Sequence, residues 1–302
     1  MGILQQIFSA LRLVPRIAEQ NRELRHELQR LRTALARIEN RQLAAQPQNG
    51  PLGQYEFQST SQWGEDGIIQ HLLRHVRIER QIFVEFGVET YAEANTRFLL
   101  ANDQWSGLIL DGSAENIAAI RRDPIYWQCQ LKAVQAFITR DNINELLQSN
   151  GVSGDIGILS VDIDGVDYWV WEAINVVNPA IVIAEYNSLL GLDRAVSVPY
   201  DASFQRGKAH YSHSYYGASL AALVALANRK GMAFVGSNRA GNNAFFVRRD
   251  LLVAPLRELS AVDGYVRRSF REARDADGKL AYPSFEEEAA MVNALPWVEV
   301  QK

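Results

Sequence analysis

Cysteine is nearly absent: Cys129 is the only one in 302 residues. Disulfide frameworks and cysteine-built zinc sites are therefore excluded, and a reducing cytoplasm suits the chain. Long apolar runs are missing as well, and none approaches the ~18 residues that a membrane span requires. There is no surplus of positive charge. The 31 Lys and Arg are set against 35 Asp and Glu, for a formal net charge of −4. A broad basic surface is thus not expected, and nucleic acid is not an expected partner. The opening fifteen residues lack the short apolar core and small-residue cleavage site of a signal peptide. They place Ile3, Ile7, Leu11 and Val14 at helical spacing and read as a helix leading into the next segment. With Arg12 and Arg16, a weak hold on the inner face of a membrane is the alternative.

Glycine and proline are absent from residues 16–42. The apolar positions there are Ile17, Leu24, Leu28, Leu31, Leu35 and Ile38. With Asn21 included, the steps alternate four and three, which is the seam of a coiled coil. If Asn21, Leu28 and Leu35 occupy position a, then Ile17, Leu24, Leu31 and Ile38 occupy d. Glu27 then falls at g and Arg32 at the next e, a pair that attracts across a parallel homodimer. A lone Asn at a also favours two in-register strands. Residues 43–56 hold two prolines and two glycines and read as a linker. The division expected is therefore 1–42 helix and coiled coil, 43–56 linker, and 57–302 catalytic domain.

From Tyr55 onward short apolar strands alternate with helical segments. Strands are expected at 81–86, 108–110, 128–134, 156–161 and 180–185. Helices are expected at 65–75, 94–102, 114–122, 141–149, 168–174 and 219–230. Two strands at 233–236 and 244–248 form a closing hairpin. This alternation predicts an α/β, doubly wound, mostly parallel sheet covered on both faces, with an antiparallel strand at its end.

In such sheets ligands bind beyond the carboxyl ends of the strands. Here those ends carry Glu85-Phe86-Gly87, Asp111-Gly112-Ser113, Asp162-Ile163-Asp164-Gly165 and Glu185-Tyr186-Asn187. One acid at a strand end is commonly a helix cap. Four strand ends bearing acids on one crevice repel one another and lose hydration, unless cations or hydroxyls bind them. Gly87 lets the backbone pass close to a ligand. Asp111 lies 26 residues after Glu85, near the ~20-residue spacing at which an acid meets ribose hydroxyls in dinucleotide folds. Ser113 can equally cap the following helix.

Several of these stretches together resemble the FkbM-type methyltransferases. They are Ser61-Gln62-Trp63-Gly64-Glu65-Asp66, Phe83-Val84-Glu85-Phe86-Gly87-Val88, Asn95-Thr96, the run Trp105 to Gly112, and Ser160-Val161-Asp162-Ile163-Asp164-Gly165. The resemblance covers most of residues 58–248. It implies the seven-stranded, Rossmann-like class I methyltransferase fold, S-adenosylmethionine as cofactor, and O-methylation, commonly of sugars. It sets Gln62, Glu85, Gly87, Asn95, Asp111 and Ser113 around the cofactor: Glu85, Gly87 and Asn95 at its methionine end, Asp111 on the ribose. Asp162 and Asp164 face the reaction centre. Where that family has two or three glycines in its first loop, this chain keeps Gly87 alone, followed by Glu89, Tyr91 and Glu93.

Residues 188–216 form a long irregular stretch rich in aromatics and cations, and loops of this length are usually functional or disordered. Its composition is too aromatic for disorder. Asn187, Arg206, Tyr215 and Tyr216 are the candidates for substrate contact, since aromatic faces stack on sugar rings and cations hold phosphates. The base that takes the acceptor proton is His210 or Asp164, or else Mg2+ held by Asp162, Asp164 and Glu185 acidifies the hydroxyl. The substrate expected is a nucleotide sugar or surface-glycan intermediate. A methyltransferase-like scaffold in a polysaccharide-assembly complex is the alternative.

Overall fold

The computed structural model describes residues 2–301, with side chains described from Pro15 onward except that of Arg22. The side chains of Ile3, Ile7, Leu11, Arg12 and Val14, on which the membrane-surface alternative turns, lie outside the described residues. Among the described residues no helix is long and apolar enough to cross a membrane.

A 43-residue helix α1 (Gly2–Ala44) opens the chain. Next come α2 (Glu65–His75), β1 (Ile82–Phe86), α3 (Arg97–Asp103), β2 (Ser106–Asp111), α4 (Ala114–Arg122), α5 (Pro124–Gln128) and β3 (Leu131–Gln135). Then α6 (Ile143–Ser149), β4 (Gly154–Val161), α7 (Asp167–Ala173), β5 (Val177–Glu185), β6 (Val196–Ser197), α8 (Arg206–Ala209) and α9 (Leu220–Arg229) follow. The chain ends with β7 (Met232–Ser237), β8 (Asn243–Arg248), α10 (Ala261–Gly264), α11 (Phe285–Asn293) and β9 (Val298–Glu299).

Seven strands form one sheet in the order β3-β2-β1-β4-β5-β8-β7. The first five are parallel. β8 runs antiparallel to both β5 and β7. This order, with its reversed strand inserted next to the last, is the class I methyltransferase fold. β6 and β9 pair separately.

The strands are apolar on both sides because helices cover both faces. Val84, Phe86, Val182 and Ala184 look into one core with Trp171, Leu223 and Phe246. Phe83, Ile181 and Ile183 look into the other with Ile68, Leu99 and Phe245. Ser113 caps α4 by accepting a hydrogen bond from the Asn116 amide. Ser219 caps α9 in the same way through the Ala222 amide.

The segment 43–56, expected as a linker, is packed. Leu52, Gly53 and Tyr55 are buried, and the Tyr55 ring stacks on His71 with centroids 3.7 Å apart. Its prolines and glycines serve a tight path across the domain. The last turns of α1 dock as well: Ala36 and Leu43 join Phe57 and Phe98 in a small core.

Candidate functional site

Two cavities meet at the carboxyl ends of β1, β2, β4 and β5. The first is lined by Leu110, Asp111, Phe137, Ile138, Val166 and Phe204, among others. The second is lined by Gln62, Trp63, Asp162, Glu185, Arg206 and Glu272, among others. Gly87, Glu89 and Asp164 belong to both.

Gly87 stands where the ends of β1 and β4 converge. Its φ is +66° and a Cβ there would collide with the Asp162 carbonyl oxygen. No other residue fits this approach. In the loop after Gly87, Glu89 (φ 48°) and Tyr91 (φ 59°) both adopt left-handed backbone. The loop keeps a glycine-type path with side chains that ordinarily avoid it, and such strain gathers at functional sites. Asp164 (φ 55°) is strained likewise.

Asp111 hangs from the end of β2 over the first cavity. Its Oδ1 accepts from the Ser113 amide (2.8 Å) and the Asn116 side chain (3.0 Å). Its Oδ2 accepts from the Glu89 amide (2.8 Å). A carboxylate offers about four acceptor positions, so one on Oδ2 is left for a ligand.

One oxygen from each of Asp162, Asp164 and Glu185 lies within 4.8 Å of the others. Glu185 is 7% exposed, and its Oε2 has no hydrogen-bond partner. Burial, and then the neighbouring acids, pushes the carboxyls of Asp162 and Glu185 well above the usual carboxylate range. Arg206 Nη1 reaches Asp164 Oδ1 at 2.6 Å. The same guanidinium contacts Glu272 and lies 3.8 Å from the Tyr216 ring centroid. Beneath them Asp167 accepts from the Ile163 amide (2.7 Å) and the Gly165 amide (2.9 Å). It pins the turn that presents Asp162 and Asp164. Burial raises its pKa to about 6.

The structure brings together Gln62, Gly87, Asp111, Asp162, Asp164, Glu185 and Arg206. Other expected site residues do structural work. Glu85 accepts from the Asn95 amide (2.8 Å), the Thr96 amide (3.1 Å) and the Thr96 hydroxyl, so it fixes the entry to α3. Asn95 Nδ2 bonds Ser160 Oγ (3.1 Å). Neither lines the two cavities. In this geometry the buried Glu85 carboxylate facing a helix start is satisfied by the amides it meets there. Ser113 is the cap of α4. Asn187 donates to the Ser214 and Tyr216 carbonyls and accepts from the Leu189 amide. Tyr215 donates to the Pro296 carbonyl and packs edge-on against Trp297. Tyr216 supports Arg206 from below. His210 pairs its Nδ1 with Ser212 Oγ at 2.8 Å and lies in neither cavity, so it is not placed as the base. Phe137, Phe204, Trp63, Phe270, Arg271 and Glu272 line the site without having been expected there. Trp63 lay inside one of the stretches that carry the family resemblance, and Phe204 inside the aromatic stretch 188–216.

No family model matches this chain, and no curated protein matches it in sequence. Solved structures do. The N-terminal domain of EvdMO1 with SAH bound is 12% identical over 61% of this chain and 79% of its own, with a TM-score of 0.40. The DszA carbon methyltransferase is 11% identical over 61% of this chain and 53% of its own, at 0.39. PKMT2 from Rickettsia typhi in complex with AdoHcy is 10% identical over 63% of this chain and 52% of its own, at 0.38. The chain thus spans about half the length of the latter two. With every TM-score below 0.5, these likenesses bear on no detail of the site.

Proposed function

We propose that this protein is an S-adenosylmethionine-dependent O-methyltransferase acting on a carbohydrate. The observation that carries this reading is the junction of a partly apolar cavity at Asp111 with an acidic cavity at Asp162, Asp164 and Glu185. The class I sheet order and the stretches similar to FkbM-type enzymes support it.

The residues present fit the cofactor. The free acceptor position on Asp111 Oδ2 suits a ribose hydroxyl, Phe137 and Ile138 offer apolar faces to a purine, and Gly87 leaves room for close backbone approach. S-adenosylmethionine supplies a methyl group on a cationic sulfur, and the acids around Glu89 and Asp164 favour that charge. Methyl transfer to an alcohol needs the two reactants aligned and the hydroxyl proton removed. Asp162 and Glu185, with raised carboxyl pKa values, are suited to accept that proton. The same three carboxylates fit Mg2+: all donors are hard oxygens, and Glu185 Oε2 is buried without a partner. A bound Mg2+ would acidify the acceptor hydroxyl.

A carbohydrate is favoured by the rim of the acidic cavity. Trp63 and Phe270 stack there with centroids 5.3 Å apart, beside Glu93, Arg271 and Glu272. Aromatic faces pack on the C–H surface of sugars, while carboxylates and guanidinium groups bond hydroxyls and phosphates. A nucleotide sugar or a surface-glycan intermediate made in the cytoplasm has this chemistry.

Titration calorimetry with S-adenosylmethionine tests the enzyme reading, and binding in the micromolar range is expected. No binding at millimolar cofactor would sink it and leave a methyltransferase-like scaffold. Titration with Mg2+ decides the metal separately: heat lost in Glu185→Gln supports the site, and its absence in the unaltered protein rejects it.

A further inference from the structure

We infer that α1 binds two things at once, its own domain through one face and a second copy of this chain through the other. In the heptad register that puts Leu28 and Leu35 at a, the residues turned toward the domain are Thr33, Ala36, Asn40 and Leu43. They occupy positions f, b, f and b. Thr33, Ala36 and Leu43 are buried. Asn40 Nδ2 donates to Gln70 Oε1 at 2.9 Å, and Arg74 Nη2 donates to the Asn40 carbonyl at 2.9 Å. Positions b and f are those a two-stranded coiled coil turns away from its partner.

The a and d positions lie on the remaining side and are bare. Ile17, Leu24, Leu28, Leu31, Leu35 and Ile38 are 50–64% exposed. An apolar stripe of this size on a monomer's surface marks an interaction site. The stripe has the narrow 3.5-residue period of a coiled-coil seam, whereas a membrane-surface helix has a broad apolar face and a basic polar one. Its flanks carry both signs, with Arg25 and Arg32 at e and Glu27 at g. In a parallel pair Glu27 faces Arg32 of the second copy, while Asn21 at a admits two in-register strands and penalises other assemblies. The occupant is therefore an identical helix, and the two domains ride fixed on the outer sides of the coil, about one coil width apart. The interface is independent of the methyl-transfer chemistry.

Light scattering on the full chain at micromolar concentration tests the inference. Twice the chain mass of 34.0 kDa is expected. Leu28→Asp with Leu35→Asp should weaken association by more than about a hundredfold, because four buried leucines per dimer are lost. These side chains are exposed in the monomer, so the variant should keep its circular dichroism and its amide protection over residues 33–43. Leu24→Cys in a Cys129→Ser background should oxidise to a covalent dimer, since residue 24 meets residue 24 only in a parallel, in-register pair. A monomeric full chain, a trimer, or a dimer indifferent to the leucine variants overturns the inference. So does loss of protection over 33–43 in the monomeric variant, which would make docking depend on pairing. Monomers that instead bind anionic vesicles through the same leucines would give the seam to a lipid surface and overturn it too.

Discussion

Two carboxylates of this site can be told apart by what surrounds them. Asp111 is held by three donors and has one acceptor position free, so its contribution to a ligand is a single charge-assisted hydrogen bond. Asp111→Asn should weaken S-adenosylmethionine binding by about 1–3 kcal/mol, and calorimetry reads this directly. Unchanged affinity would remove Asp111 from the ribose. Glu185 is the opposite case, a buried acid with an oxygen that has no partner and two acids beside it. Ionising it in the folded state costs free energy. Glu185→Gln should therefore raise stability by about 1 kcal/mol while turnover falls about a hundredfold or more. Urea unfolding and a methyl-transfer assay check the two halves. A variant that loses stability along with activity would make Glu185 a structural residue.

At the scale of elements, the strand ends were legible because their chemistry is local. A parallel strand buried on both faces must be apolar, so an acid that follows it stands out, and Asp111, Asp162, Asp164 and Glu185 were found this way. The helix α2 and the cap of α4 were legible for a similar reason: amphipathic spacing and a serine at the start suffice. The walls supplied by Phe270, Arg271 and Glu272 were not, because the segment after Arg248 carries no period and its place depends on pairing across the fold, as in Arg206 with Glu272. The bonds from Glu85 to the start of α3 were not legible, because a strand-end acid that meets a helix start looks the same in sequence as one that meets a ligand. Packing of 43–56 was hidden by prolines and glycines that serve a tight path as readily as a loose one. The first loop gives this scale its prediction. Glu89 pays a left-handed backbone of roughly 1–2 kcal/mol that glycine would not. Glu89→Gly should raise the unfolding free energy by up to about 1 kcal/mol, part of the gain being offset by the freer unfolded chain. Gly87→Ala should prevent folding or abolish cofactor binding, since the Asp162 carbonyl occupies the space. Thermal unfolding of the two variants in opposite directions is the expected result, and a destabilised Glu89→Gly would show that the loop conformation is unstrained.

Over the whole molecule, pH acts on two sets of buried groups with opposite sign. Burial raises the pKa of Glu85 to about 7 and that of Asp167 to about 6. For these acids the stability is present at low pH and lost as pH rises through those values. His71 works the other way. It is 1% exposed, stacked on Tyr55, with Nδ1 3.2 Å from Gln48 Oε1. Burial, then the charges of His75 and Arg74, lowers its pKa to about 3. Below the ordinary value of about 6.5 the unfolded chain takes up a proton that the folded chain refuses. Stability from this group is therefore present above pH 6.5 and falls as pH drops from there toward about 3, at up to about 1.4 kcal/mol per pH unit. The pH curve of the protein alone mixes both sets, so the informative quantity is its difference from His71→Gln. The stability advantage of the unaltered protein over His71→Gln should shrink by up to about 2 kcal/mol between pH 7.5 and 5.0, measured by urea unfolding. Because His71 joins α2 to the segment that follows α1, amide protection factors over 45–56, taken relative to the intrinsic exchange rate at each pH, should fall first as pH drops. An advantage that stays constant across that range would mean that His71 protonates within the fold at no cost, and that the stacking on Tyr55 tolerates the charge.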